Sequence, residues 1–501
     1  MTTHVPTQRP RPTDPRLLAA GIVLACLVLA ALSLMRPSAP TTDPWGWIVW
    51  GREVLHLGLD TTAGTPAWKP LPVLVTTPLA LFGPAAPALW LVFARTAGLL
   101  ALVLAFRAAR RVAGTGAGVA AALFVLLIGG FVRELEHGYT EPLLAALALA
   151  AVERHSTGHR IHALALGALV CLGRPEAFAF LVPYAVLTWR ARPRRRWQVT
   201  ALVAAVPALW LGGDWWGAGD PLHAGHVAAG AGSQLGAGDM LTAAAQLAGP
   251  VLLVPAVWAL WCHRRDFQMR LLAGAAAGWM AMLALLVGFG YPSSDRFMVL
   301  PAVVVCVLAG VGVADLAQLR LVPGVARVAA GAAALALVAL HVPAQLLPLP
   351  GRIHRAEAES RSQAQLRDVV RNSDRVPGPE CGHPMLPATL DWDAGAVAWE
   401  LGVPLERVDT AVGAARMLAS RRPLIGLAVH SRGNPTETLL GLQASARTGA
   451  DLYLPRPVSR ARVDSGQGLR SWIDAGDGHW GEIAVCPPKR RPRGQLAQRG
   501  A

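Results

Sequence analysis

Asp43, at the head of Asp-Pro-Trp-Gly-Trp (43–47), is the carboxylate of this sequence best suited to take a proton from a hydroxyl. In a partly desolvated cleft a carboxylate holds its proton more tightly, which suits a general base for a sugar or protein hydroxyl. The competing reading is a helix-capping aspartate in an interfacial belt with Trp45 and Trp47. Lys69, in Trp-Lys-Pro-Leu-Pro (68–72), is one of only two lysines, the other being Lys489, in a chain with 46 basic residues. A compact ammonium beside a proline-stiffened turn can hold a phosphate oxygen, or it can snorkel to an interface.

Residues 133–142 read Arg-Glu-Leu-Glu-His-Gly-Tyr-Thr-Glu-Pro. On a helix Glu134, His137 and Glu141 share a face, which fits a metal site. Gly138 interrupts that helix, and Glu141 as a substrate contact or a solvated turn are the other readings. Arg174 and Glu176 sit in Leu-Gly-Arg-Pro-Glu (172–176), Arg95 lies inside an apolar run, and Arg296 follows Tyr-Pro-Ser-Ser-Asp (291–295). Guanidinium groups offer a bidentate fork for phosphate oxygens, and a salt bridge with Glu176 or Asp295 is the alternative. Asp214, opening a Gly- and Trp-rich stretch, is a weaker candidate. Cys-x-x-Cys pairs, a Walker loop, a zinc-helix motif and internal repeats are lacking, so common soluble cofactor chemistry has no support.

The elements that must position these groups are set by composition. Of 501 residues, 53% are hydrophobic and 15% charged, too apolar for a soluble globular chain of this length. The formal charge of +15 would suit nucleic acid if gathered on one soluble face. The arginines instead flank apolar runs, which is a topology signal and argues against a nucleic-acid partner. The runs span residues 17–34, 84–106, 114–132, 139–152, 161–172, 177–189, 197–212, 247–261, 271–289, 297–316 and 328–347. They predict an all-α polytopic membrane protein with about eleven transmembrane helices. The first run follows Arg9, Arg11 and Arg16 but is long and has no convincing small-x-small cleavage site, so it reads as an uncleaved helix. Placing the arginine clusters at 107–111, 154–160, 190–196, 264–265 and 320–327 in the cytoplasm satisfies the positive-inside rule with one threading. The N-terminus is then cytoplasmic, in a plasma membrane. The Asp43 loop, residues 134–141, 214–239 and 291–296, and everything after 350 face outward.

Residues 161–189 have cytoplasmic signals at both ends, with Pro175 breaking the middle. Two helices of about 12 residues rise only about 18 Å each, against a hydrocarbon core of about 30 Å. The hairpin tip with Arg174 and Glu176 must therefore sit below the outer surface, surrounded by protein or water.

The organisation expected is a basic cytoplasmic N-terminus (1–16), a transmembrane domain (17–349), a small extracytoplasmic α/β domain (350–488) and a disordered basic tail (489–501). Cys26, Cys171, Cys262 and Cys306 lie in apolar segments, whereas Cys381 and Cys486 fall in the outer domain, where a disulfide would be favoured by compartment.

Taken in order, these features resemble the GT-C superfamily of membrane glycosyltransferases, which includes protein O-mannosyltransferases and aminoarabinose transferases acting on lipid A. The resemblance rests on Asp43 in the first outer loop, Lys69-Pro70-Leu71-Pro72 at its end, and Arg95 followed by Arg107 to Arg111. It continues through Gly138-Tyr139-Thr140-Glu141, the Arg174-Pro175-Glu176 tip, and Arg296-Phe297 with Pro301, covering roughly residues 15–350. It implies transfer of a sugar from a polyprenyl-phosphate donor to a glycan, lipid or protein acceptor on the outer face. In that scheme Asp43 is the base. Lys69, Arg95 and Arg296 hold the donor phosphate, and Glu141, Arg174 and Glu176 shape the sugar pocket. One clear acid in the first loop, where the family pattern has an adjacent pair, assigns no metal ligand and leaves a divalent cation as an open cofactor. The Arg-over-Lys bias with abundant Ala, Gly and Pro suggests a GC-rich genome such as an actinobacterium's, and hence a cell-envelope acceptor. A lipid or glycan flippase would use the same intramembrane charges and broken helix. A non-catalytic scaffold anchoring the outer domain is the third reading.

Overall fold

The computed structural model describes residues 14–62, 66–230, 235–318, 324–372, 383–386, 394–410, 424–429, 469–474 and 480–485. Helix α1 (Pro15–Leu32) starts where Asp14 accepts the Arg16 N–H at 2.8 Å and Pro15 takes the first turn. The segment expected as the first outer loop holds two helices, α2 (Thr42–Leu55) and α3 (Pro70–Leu79). Helix α4 (Ala86–Leu126) spans two predicted runs, joined across a kink at Ala113 and Gly114, where Gly114 has φ +85°. Then come α5 (Phe131–His137) and α6 (Glu141–Ser156), followed by α7 (Arg160–Gly173) and α8 (Phe178–Ala191).

The expected hairpin is present. Helices α7 and α8 have 14 residues each, about 21 Å of rise, and a turn at Pro175–Ala177 separates them. Residues 214–239, expected as an open outer loop, instead hold the end of α9 (Arg196–Ala218), α10 (His223–Gly230) and the start of α11 (Ala237–Ala248). The run 247–261 is broken at Gly249-Pro250, so α11 meets the next helical pair, which includes α12 (Leu253–Cys262), at 87°. Helices α13 (Phe267–Gly288), α14 (Val299–Gln318), α15 (Gly324–Leu346) and α16 (Leu349–Asn372) follow.

The predicted apolar runs are largely helical, with breaks at 127–130 and at Gly249, and the chain is a multi-pass membrane protein. Among the described residues, six helical segments are long and apolar enough to cross a bilayer, or seven if the bent pair counts as one span. Helix α14 is the axis of the bundle. Its apolar window is 83% buried, against 11% for α1, whose leucines face outward. It lies along α4, where small residues permit close approach: a Cβ on Gly310 would stand 2.6 Å from the Ala121 nitrogen. Such small-residue seams replace the hydrophobic drive that lipid solvent removes. At the end of α6, Glu153 accepts from both Arg107 and Arg111, tying the arginine cluster before the kink to its neighbour.

After α16, strands β1 (His383–Leu386), β2 (Asp409–Thr410), β3 (Leu424–Val429), β4 (Leu469–Asp474) and β5 (Trp480–Val485) form a mixed sheet in the order β2-β1-β3-β5-β4. Strand β1 runs parallel to β2 and β3, and β5 is antiparallel to β3 and β4. Helix α17 (Ala394–Leu401) packs on α2 so closely that a Cβ on Gly395 would sit 2.4 Å from Trp45 Cβ. Arg52 fastens the contact, donating to the carbonyls of Ala398 (3.3 Å), Trp399 (3.1 Å) and Val403 (2.7 Å), with its guanidinium over the Trp399 ring. Trp45 Nε1 donates to Gln363 Oε1 at 3.0 Å. Cys381, Cys486 and the basic tail lie outside the described residues.

Candidate active site

Six parts of the chain deliver seven charged groups to one place. Asp43 lies in the first turn of α2, where it does not serve as the cap: its Oδ2 accepts from Arg296 Nη1 at 2.9 Å and has Lys69 Nζ 3.9 Å away. Arg296 comes from the turn that opens α14, and its guanidinium lies 5.1 Å from the Tyr139 ring centroid. Lys69 is held at the start of α3 by Pro70. Its side chain is 12% exposed and 5.1 Å from the Trp47 ring, which answers the snorkelling alternative in favour of a buried ammonium. Burial first, and then the neighbouring Arg174 guanidinium, pull the Lys69 ammonium down to about 8, against the opposing pull of Asp43 and Glu141.

The hairpin tip supplies the other half. Arg174 Nη2 meets Glu141 Oε1 at 2.5 Å, at the N-terminus of α6, and its Nη1 lies 3.8 Å from Glu176 Oε1. Its guanidinium stacks over Phe297 at 3.7 Å, and Tyr291 donates to Glu176 Oε1 at 2.8 Å. From α5, Glu134 joins the same cluster. Burial and the adjacent Glu141 carboxylate push its carboxyl well above the usual range, which favours the protonated form. With Glu134 neutral, the formal charges of Asp43, Glu141 and Glu176 balance those of Lys69, Arg174 and Arg296.

The cluster has open hydrogen-bonding capacity. Oε2 of Glu134, Glu141 and Glu176, and the hydroxyls of Thr41 and Thr140, are buried without a hydrogen-bond partner among the described residues. Buried polar atoms left unpaired are rare enough to call for an explanation, and a polar ligand supplies one.

Six of the seven residues given site roles in sequence thus come together: Asp43, Lys69, Glu141, Arg174, Glu176 and Arg296. Arg95 does not join them. Its guanidinium is spent on Ser33 Oγ (2.7 Å), Ser38 Oγ (2.9 Å) and the Glu136 carbonyl (2.8 Å), tying α1 and the following segment to α5. Asp214 accepts from the Ala224 N–H at 2.9 Å, linking α9 to α10. Glu134, His137 and Glu141 do not assemble as ligands: His137 Nδ1 lies 3.4 Å from the Ala39 carbonyl, and no three metal-binding side chains converge among the described residues. Sequence reasoning missed the Trp47, Tyr139 and Phe297 rings under the three cations and the Tyr291 contact. The one signal for them was adjacency, as with Phe297 next to Arg296.

The fold that carries this charged cluster is similar to that of solved membrane proteins. The chain matches the crystal structure of ArnT from Cupriavidus metallidurans bound to undecaprenyl phosphate with a TM-score of 0.54 and 15% identity, covering 95% of this chain and 99% of that one. The apo state of the same protein matches with a TM-score of 0.53 and 13% identity, over 95% and 100% of the two chains. The archaeal oligosaccharyltransferase AglB from Archaeoglobus fulgidus is a weaker likeness, with a TM-score of 0.44 and 14% identity over 77% of this chain and 64% of that one. No family model and no curated protein matches the sequence.

Proposed function

We propose that the chain is a membrane glycosyltransferase that moves a sugar from a polyprenyl-phosphate donor to a cell-envelope acceptor on the extracytoplasmic face. The observation that carries this reading is the meeting of Asp43, Arg296 and Lys69 around one carboxylate oxygen, next to the Glu141–Arg174–Glu176 cluster. The ArnT structure bound to undecaprenyl phosphate shares the fold, and a sugar donor built on such a lipid phosphate suits this site.

The residues divide the work. Lys69 and Arg296 hold the donor phosphate and stabilise charge on it as it leaves. Asp43, from which the phosphate draws those cations, takes the proton of the acceptor hydroxyl. The acceptor oxygen forms its bond to the anomeric carbon while the bond from that carbon to the phosphate oxygen breaks, and polyprenyl phosphate departs with the electron pair. The unpaired oxygens of Glu134, Glu141 and Glu176 hydrogen-bond the sugar hydroxyls. Arg95 has no part in this scheme.

The test is transfer by the full chain in nanodiscs supplied with a panel of radiolabelled polyprenyl-phosphate sugars and an envelope extract as acceptor. Label moves to a larger product with the wild type, and Asp43→Asn loses it by about 10²–10⁴-fold. An Asp43→Asn protein transferring at the normal rate removes the central assignment. In sealed liposomes, label crossing the bilayer without forming a new glycosidic bond would mark a flippase.

A further inference from the structure

At the other end of the hairpin, about 21 Å along α7 from Arg174, lies a second polar feature. A cavity of about 170 Å³ is lined by Gly158, His159, Arg160, His162, Arg192 and Arg195. It is too small for a drug-sized ligand, whose sites run from about 300 Å³, and has the scale of a single headgroup. Its wall carries three arginines and two histidines and no carboxylate. Arg160, Arg192 and Arg195 form no ion pair among the described residues, and Glu153, the acid at the end of α6, is taken up by Arg107 and Arg111.

The walls are fixed by the chain. Gly158, at φ +80°, makes the tight turn between α6 and α7, and Arg192 Nη2 reaches its carbonyl at 3.4 Å, closing the end of α8 against that turn. Two exposed tryptophans lie next to the lining arginines in sequence: Trp189, three residues before Arg192 near the end of α8, is 38% exposed, and Trp197, two residues after Arg195 at the start of α9, is 70% exposed. Exposed tryptophans beside arginines are the signature of headgroup depth in a bilayer. That places the opening where a lipid phosphate lies, in preference to bulk water.

We propose that this cavity binds the phosphate of an anionic phospholipid in the cytoplasmic leaflet, anchoring the base of the hairpin whose tip carries Arg174 and Glu176. The geometry suits it: cations from α7 and from beyond α8 face one another across a space that a phosphodiester fills, with the acyl chains lying against α8 and α9. This assignment stands apart from glycosyl transfer, and either can fail without the other.

The experiment uses the full chain in neutral detergent, with binding followed by native mass spectrometry. The probes are dioctanoyl phosphatidylglycerol, dioctanoyl phosphatidylcholine and inorganic phosphate. Phosphatidylglycerol binds, and at the same concentration the other two do not. Each of Arg160→Gln, Arg192→Gln and Arg195→Gln weakens it about fivefold, the factor expected for one basic residue at an anionic headgroup. Arg190→Gln, close by but outside the cavity wall, leaves binding unchanged and controls for nonspecific charge and for folding. Equal binding of phosphatidylcholine, equal losses with Arg190→Gln, or no loss with the three cavity variants overturns the proposal. Tight binding of inorganic phosphate alone reassigns the cavity to a free anion and overturns it equally.

Discussion

Lys69 gives the sharpest handle on the proposed chemistry, because its ammonium is both needed and strained. Burial lowers it from 10.5 to about 8. A cation whose folded pKa lies below its unfolded value weakens the folded state while it is charged. That penalty is complete below about pH 8 and is relieved as the pH rises from about 8 toward 10.5. The shift of 10.5 − 8, about 2.5 units at 1.36 kcal/mol each, amounts to about 3 kcal/mol. Phosphate binding runs the other way. The free protein loses its Lys69 charge above about pH 8, so kcat/KM for a polyprenyl-phosphate sugar falls about tenfold per unit beyond that point. Stability and activity therefore move in opposite directions across the same window, which a general alkaline denaturation cannot imitate. Lys69→Arg, whose guanidinium stays charged, keeps a flat profile to pH 10 at a reduced level. Lys69→Met loses donor binding yet melts at a higher temperature than the wild type at pH 7. The assay pairs kcat/KM from pH 6 to 10 with thermal unfolding in nanodiscs. A wild-type profile flat through pH 9.5, or the same decline in Lys69→Arg, would refute the reasoning.

Burial and the neighbouring Glu141 favour the protonated form of Glu134, so the neutral isostere Glu134→Gln is expected to keep transfer within about threefold of wild type, far short of the 10²–10⁴ that losing a general base costs. Glu134→Ala, which removes the hydrogen-bonding group, falls well below both in the same transfer assay. Arg52→Ala breaks three charge-assisted hydrogen bonds to the segment around α17. At about 1.5–3 kcal/mol for a hydrogen bond to a charged group, amide exchange across residues 394–408 speeds up about tenfold or more, while α4 and α14 keep their protection.

The charged cluster was legible because an ionisable side chain in an apolar chain is expensive, and each one therefore stands out. Arg174 and Glu176 were placed at a buried hairpin tip because cytoplasmic signals at both ends and Pro175 in the middle gave two helices of about 12 residues, too short to reach across about 30 Å, and the observed 14 residues each are still too short. The same rule misassigned Arg95, because cost says that a cation must be satisfied and not by what. Its partners Ser33 and Ser38 are neutral hydroxyls 62 and 57 residues away. The upward shift of the Glu134 carboxyl was equally hidden, as it depends on burial and on Glu141 standing beside it in space. Runs 84–106 and 114–132 were legible as two helices because hydropathy drops at the arginines, and they meet at a kink where Gly114 takes a positive φ that other residues rarely adopt. Helices α10 and α11 were read as loop because Gly, Ala and polar residues there give no apolar run.

The pairing of Asp43 with Arg296 sets the order in which the site can work. In the absence of ligand, the oxygen meant to receive a proton already accepts from Arg296 at 2.9 Å, with Lys69 Nζ at 3.9 Å. A phosphate oxygen must compete with Asp43 for those same two cations, and each contact it gains is one that the carboxylate gives up. Donor binding and the freeing of Asp43 are thus one event, and the carboxylate lowers donor affinity for as long as it is charged. Removing that charge should help binding while it abolishes transfer. Asp43→Asn is therefore expected to bind undecaprenyl phosphate about 5- to 150-fold more tightly than wild type, the range of a coupling energy of about 1–3 kcal/mol. Isothermal titration of both proteins in detergent measures the difference directly. Equal or weaker binding by the variant would show that Lys69 and Arg296 are not shared between carboxylate and phosphate, and the division of labour assigned to the three residues would fall with it.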